Sequence, residues 1–276
     1  MQVAILRILV FAVVAYAVAS GLLWAVQERL VFPAPRSSLI SPSRAGLPRG
    51  ESVRVVTQDS VTLTGWFIPA ESEDPAPALL WFHGNGETVP WLAPVIGRLM
   101  HPGYAILILN YRGYGDSGGR ATERGIYLDA DAAWSYLAQR PEVDSSRVAV
   151  YGRSIGSAPA MHVASNHAVR AVVLDSPITN ARDMARKHYR IFPAFLVRMR
   201  LDNVSKMAQL DAPVLVFHGD RDMIAPTWMG RELAGAARNG EFVLIEGAGH
   251  NETFDVGGRA YVERVHSFLS RHLEIE

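Results

Sequence analysis

Gly152-Arg153-Ser154-Ile155-Gly156 sets one serine between glycines two residues before and two residues after it. The apolar run 147–151 ahead of it predicts a strand, and the Ala- and Met-rich segment behind it predicts a helix. A chain that passes from one to the other through this pentapeptide must turn sharply and leave the Ser154 Oγ exposed. A serine hydroxyl is a weak nucleophile at its own pKa, so it needs a base, and the base needs an acid to orient it. His250, in Gly247-Ala248-Gly249-His250-Asn251-Glu252 just past the apolar run 242–245, is the expected base. Asp222, just past the run 214–217, is the expected acid, with Asp220 and Asp175 as rival carboxylates. His218 opens the Asp222 loop and reads as structural. Acyl transfer also needs donors for a developing oxyanion. The N–H of Ile155 is one expected donor. The N–H of Asn85, in His83-Gly84-Asn85-Gly86 after the run 78–82, is the other, with His83 bracing that loop.

These residues need a scaffold that brings four loops to one edge. The runs 78–82, 105–109, 147–151, 171–174, 214–217 and 242–245 are continuously apolar, which suits parallel strands covered on both faces. Helical segments at roughly 88–100, 155–165, 227–238 and 257–272 alternate with them, and Thr122 is the expected N-cap of another that Pro141 ends. An antiparallel hairpin, 53–57 with 61–68, opens the series. The expected fold class is α/β: one doubly wound, mostly parallel sheet whose strand ends carry the site. Residues 178–209 are too long for an ordinary crossover and read as a small helical lid. Its apolar stretch, Ile191 to Met199 with arginines around it, either lines an acyl slot or touches lipid headgroups, or else packs as an amphipathic helix with Arg outside.

The 276 residues carry 27 basic and 27 acidic side chains, so no overall field holds a polyanion and nucleic acid is not an expected partner. Zero cysteines excludes disulfides, thiolate metal sites and a cysteine nucleophile. No metal motif or Walker pattern appears, and no cofactor is expected. Gly113-Tyr114-Gly115-Asp116-Ser117-Gly118 has the spacing of a dinucleotide fingerprint, but no helix follows directly and no acid ends a strand some twenty residues on, so nucleotide binding is set aside.

Much of the apolar excess sits at the amino terminus. Ile8 to Val26 is uncharged, and at about 1.5 Å per residue it spans roughly the 30 Å hydrocarbon layer. A retained single-pass anchor, residues 1–28, is the expectation, with a cleaved signal peptide ending near Ala19 as the alternative. The side of the membrane is open, since arginines flank both ends. Residues 29–50, rich in proline, read as an extended linker leading the chain away from the bilayer, and residues 51–276 as the enzymatic domain.

Together the His83-Gly84-Asn85-Gly86 loop, Asn110-Tyr111-Arg112-Gly113-Tyr114-Gly115-Asp116-Ser117, the pentapeptide around Ser154 and the Asp222 and His250 loops resemble the α/β-hydrolase superfamily over about residues 50–275. Within it the chain looks like the membrane-anchored serine hydrolases of the serine-aminopeptidase-like group, which include protein depalmitoylases. The resemblance implies a serine hydrolase acting on a small-molecule or acylated substrate. Esterase, lipase or thioesterase activity stands first; a peptidase, or a scaffold without catalysis, stands behind it. Ser154 occupies the position where dehalogenase and epoxide-hydrolase relatives carry Asp, which argues against both.

Overall fold

Runs of Val, Ile, Leu and Ala without alternation leave no polar face for water, so the strands they form must be covered on both sides. The computed structural model of the chain, which describes residues 2–72 and 74–275, shows that arrangement. Eight strands make one sheet in the order β1-β2-β4-β3-β5-β6-β7-β8. β1 (Glu51–Val56) and β2 (Thr62–Ile68) form the opening hairpin, and β2 runs antiparallel to β4 (Ala105–Leu109). From there the sheet is parallel through β3 (Ala76–Phe82), β5 (Val143–Arg153), β6 (Ala171–Asp175), β7 (Val214–Gly219) and β8 (Gly240–Ile245). The fold is a doubly wound α/β fold with a long apolar amino-terminal helix.

Helices cover both faces and split the core in two. Leu80, Val150, Leu174 and Val216 pack on one side with α3 (Glu123–Ala138), α4 (Ser157–Asn166) and α7 (Thr227–Ala236). Trp81, Tyr151, Val173 and Phe217 pack on the other with α2 (Ala93–Leu99) and α8 (Thr253–Leu273). Thr122 caps α3 as its sequence suggests, its Oγ1 accepting the Gly125 N–H at 3.0 Å. The parallel strands all end on the same edge, and Ser154, Asp222 and His250 follow β5, β7 and β8 there.

Two segments differ from expectation. In residues 178–209 only α5 (Ala181–His188) and α6 (Asn203–Met207) are α-helical, and the apolar stretch between them is a single 3-10 turn, Ala194–Leu196, in extended chain. The amphipathic-helix alternative therefore fails for Ile191 to Met199. Pro193 has no N–H to give a helix, and it biases Phe192 away from the α region. The proline-rich stretch after the first helix is also no free spacer. α1 (Gln2–Val31) runs past residue 28, and the chain beyond it is laid along the domain. Phe32 and Leu47 are buried, Arg36 Nη1 donates to Ser117 O at 2.7 Å, and the Leu39 N–H donates to Asp116 Oδ2 at 2.7 Å. Prolines keep this stretch out of regular structure, but its side chains and remaining N–H groups still find partners in the folded domain.

Candidate active site

Ser154 sits where β5 ends, with φ +51°, a left-handed backbone that costs a non-glycine residue strain. Its neighbours explain why the turn needs glycine. A Cβ on Gly156 would lie 2.3 Å from Phe82 O and 2.5 Å from His83 O; one on Gly152 would lie 2.7 Å from both Ala160 Cβ and Gly156 O. A 3-10 turn, Ser154–Gly156, leads into α4, so the regular helix begins three residues later than the serine.

The structure brings three expected residues from separate loops into one hydrogen-bonded line. His250 Nε2 lies 2.8 Å from Ser154 Oγ, and His250 Nδ1 lies 2.7 Å from Asp222 Oδ2. Asp222 Oδ1 accepts the N–H groups of Ile224 and Ala225 at 2.9 and 2.8 Å. His218, fully buried, has its Nε2 3.2 Å from Asp222 Oδ2 and 2.7 Å from Ala225 O, so it braces the loop. Burial works against the Asp222 charge, but hydrogen bonds from His218 and His250 hold the carboxyl well below its usual range. It is thus an anion fit to fix the imidazole. The rival acids stand elsewhere. Asp220 Oδ1 accepts the Gly247 N–H, and Asp175 lies buried beside Arg153.

The Asn85 loop approaches from β3. Asn85 Oδ1 accepts the Tyr114 hydroxyl at 2.6 Å, and its Nδ2 donates to Val31 O at 2.5 Å. Gly84 N–H is taken by Glu87 Oε2 at 2.6 Å. Among the described residues the Asn85 and Ile155 amides have no hydrogen-bond partner, and both residues line the cavity that contains Ser154. His83 is fully buried behind this loop. Burial, reinforced by the Arg153 charge, pulls its pKa down to about 4 against a hydrogen bond to Gly84 O, so it stays neutral near pH 7.

Over the serine lies a cavity of about 710 Å³, walled by the Asn85 loop, the 178–209 segment and the last turns of α1. Its lining includes no Asp or Glu among the described residues.

With this geometry in view, the comparisons with known proteins are specific. Residues 73–203 match the serine aminopeptidase (S33) family, and residues 197–272 match the TAP-like protein family. An uncharacterized protein of Mycobacterium tuberculosis is 35% identical over 268 residues, covering 95% of this chain and 94% of that one. Alpha/beta hydrolase domain-containing protein 17B of Homo sapiens is 34% identical over 201 residues, 71% of this chain and 67% of its own. The chain belongs to the α/β-hydrolase superfamily. Among solved structures, this hydrolase superimposes on an esterase of Pyrococcus furiosus with a TM-score of 0.71, at 25% identity, over 87% of this chain and 97% of the esterase.

Three features of the hydrolase escaped sequence reasoning. Arg153, the residue before the serine, pairs with Glu87, sits 3.5 Å from Asp175 Oδ2 and donates to Asn251 Oδ1 at 3.1 Å. His188, in α5, has its Nε2 2.8 Å from Ile224 O, joining the lid to the Asp222 loop. The α1 residues in the cavity wall carry only the signature of an anchor in the sequence. No pattern along the chain flags these positions, because each depends on a partner more than 30 residues away. The false dinucleotide motif proves to be a brace: Gly113 N–H donates to Gly118 O, and Tyr114 reaches Asn85.

Proposed function

We propose that this protein is a serine hydrolase that cleaves a carboxylic ester or thioester through an acyl-enzyme, with Ser154 as nucleophile, His250 as general base and Asp222 as its orienting acid. The observation that carries the reading is the unbroken line from Ser154 Oγ through His250 to Asp222, at 2.8 and 2.7 Å, with Ser154 and His250 lining an open cavity. His250 takes the Ser154 proton as Oγ attacks the carbonyl, and Asp222 stabilises the imidazolium. The Asn85 and Ile155 amides hold the oxyanion. His250 then gives its proton to the departing alcohol or thiol, and a water it activates releases the acid.

A peptidase reading is favoured by the serine aminopeptidase match alone. An aminopeptidase must hold a substrate ammonium, and a carboxylate is the group that does so. The absence of Asp and Glu from the described cavity lining supports ester or thioester chemistry instead.

We also infer that α1 is a retained single-pass anchor. It is the one described helix long and apolar enough to cross a bilayer, and its Tyr16, which signal cleavage near Ala19 would remove, donates to the lid at Ile191 O.

The test is a fluorophosphonate probe on the purified full-length protein, followed by p-nitrophenyl esters of rising chain length beside acyl-thioesters and aminoacyl-anilides. Labelling of wild type but not of Ser154→Ala, with turnover of esters or thioesters, is expected. Equal labelling of both, or turnover of anilides alone, defeats the reading.

A further inference from the structure

Helix α1 does more than tether the domain. Ser20, Leu23, Trp24, Gln27 and Leu30, all toward its carboxyl-terminal end, line the cavity that holds Ser154. The facing wall is the lid, and the two are joined at three depths. Gln27 Oε1 accepts the Arg198 N–H at 2.8 Å. The Arg198 guanidinium lies over the Trp24 ring, 4.5 Å from its centroid. Further down, the Tyr16 hydroxyl donates to Ile191 O at 2.7 Å, and its ring stacks on Phe192 with centroids 5.8 Å apart and planes within 6°.

These contacts fix where the lid stands relative to a bilayer. A Trp paired with an Arg belongs at the headgroup level. Arg7, the charge that precedes the apolar stretch, is 17 residues before Trp24, or about 26 Å along the axis, close to the ~30 Å hydrocarbon thickness. Tyr16, eight residues before Trp24, is then about 12 Å deeper than the headgroup level. The lid tip that it holds must share that depth. Two features of the tip agree. Ile191 and Phe195 are large apolar side chains left 74% and 76% exposed. The Ile191 carbonyl is satisfied by Tyr16, as irregular backbone at membrane depth requires.

The cavity therefore lies between a membrane helix and a lid dipped into the same leaflet, with Ser154 in its lining. Its volume, about 710 Å³, falls within the ~300–1,000 Å³ usual for small-ligand sites. We propose that the substrate is a long-chain acyl ester or thioester resident in the same bilayer as α1, and that its acyl chain enters the cavity sideways between α1 and the lid, carbonyl end toward Ser154. This rests on the serine-hydrolase reading above. In the step so fed, the acyl–Oγ bond forms as the acyl–oxygen or acyl–sulfur bond breaks. The Ser154 proton passes through His250 to the leaving alcohol or thiol, and water then releases the fatty acid.

The experiment uses full-length protein in phosphatidylcholine vesicles with 4-methylumbelliferyl palmitate as the bilayer-borne ester and the water-soluble acetate ester as its comparison. Palmitate ester placed in the enzyme's own vesicles is expected to turn over at least ~10-fold faster than the same ester supplied in separate vesicles, since lateral access needs a shared leaflet. Equal rates overturn the bilayer as source. Leu23→Trp, which fills the cavity from the helix side, is expected to lower the palmitate-to-acetate ratio of kcat/KM at least ~10-fold. Ile191→Asp changes an exposed residue that the fold does not need, and by placing a charge at membrane depth it should lower that ratio at least ~5-fold. An unchanged ratio in both variants overturns the role of α1 and the lid. Fluorophosphonate labelling reports an intact serine in each variant. A wild-type protein that is neither labelled nor active on either ester refutes the hydrolase reading itself; one that is labelled and cleaves acetate without these dependences refutes only the lateral route.

Discussion

Arg153 Nη2 donates to Asn251 Oδ1 at 3.1 Å, which ties the residue before the expected nucleophile to the residue after the expected base. The same guanidinium pairs with Glu87, whose Oε2 holds the Gly84 N–H of the Asn85 loop, and lies 3.5 Å from the buried Asp175. One cation thus positions three loops that converge on Ser154. It also compensates a carboxylate that burial pushes toward its neutral form. Arg153→Met is expected to destabilise the fold by about 3 kcal/mol, because it strands buried acidic partners. Urea denaturation should show Arg153→Met/Asp175→Asn recovering part of that loss. Strict additivity of the two substitutions would show that the Arg153–Asp175 contact carries none of it.

The choice of acid is open to direct trial. Asp222→Asn is expected to lower kcat by roughly 10⁴-fold, since a neutral amide neither fixes the His250 tautomer nor stabilises the imidazolium. Asp175→Asn should cost less than ~10-fold, as that carboxyl acts through Arg153. Steady-state kinetics on a short ester would reverse the assignment if the larger loss came from Asp175→Asn. His250→Ala should fall at least ~10³-fold.

Gly156→Ala tests the packing of the turn. Its methyl group would meet two backbone oxygens, Phe82 O at 2.3 Å and His83 O at 2.5 Å, and neither can swing aside as a side chain would. Destabilisation of about 2 kcal/mol is expected, with the Asn85 loop displaced. A thermal midpoint within 1 °C of wild type, against a shift of roughly 4–8 °C that such a cost implies, would contradict the close approach.

His83 makes a pH prediction. Its pKa is about 4 when folded against 6.5 when exposed, so on acidification the unfolded chain binds the proton first. The stability tied to neutral, buried His83 is present in full above pH 6.5, is lost as pH falls toward 4, and does not fall further below that. The span is worth about 3 kcal/mol at most. Denaturation curves between pH 7 and 4 should fall more steeply for wild type than for His83→Gln. Parallel curves would show that His83 does not titrate this way.

For the anchor, full-length protein is expected to stay in the membrane pellet through an alkaline carbonate wash with residues 1–20 still attached. Release into the supernatant, or a mature amino terminus at Ser20, would mean that the helix is a signal sequence.

Much of this molecule is legible along the chain. The strand runs are apolar because both faces are covered, so their places along the chain and their parallel type follow from the residue pattern, while their order in the sheet does not. Gly152 and Gly156 mark a turn too tight for Cβ atoms, and Asp222 and His250 each follow an identifiable strand within a few residues. The lid is where local reading failed. Its apolar residues suggest a helix, yet Pro193 blocks one, and their partners are Tyr16, Trp24 and Gln27, some 170 residues earlier.

The sequence by itself determined the doubly wound sheet, the turn at Ser154 and the loops that hold its expected partners, because each depends on periodicity or sterics within about a dozen residues. Only the tertiary structure decided that Asp222 rather than Asp175 reaches His250, that Arg153 joins three loops, and that α1 closes the cavity over the serine. Those are relations between side chains brought together by strand order and by the packing of one helix against one lid. No local pattern encodes them, because their partners are neighbours only in space.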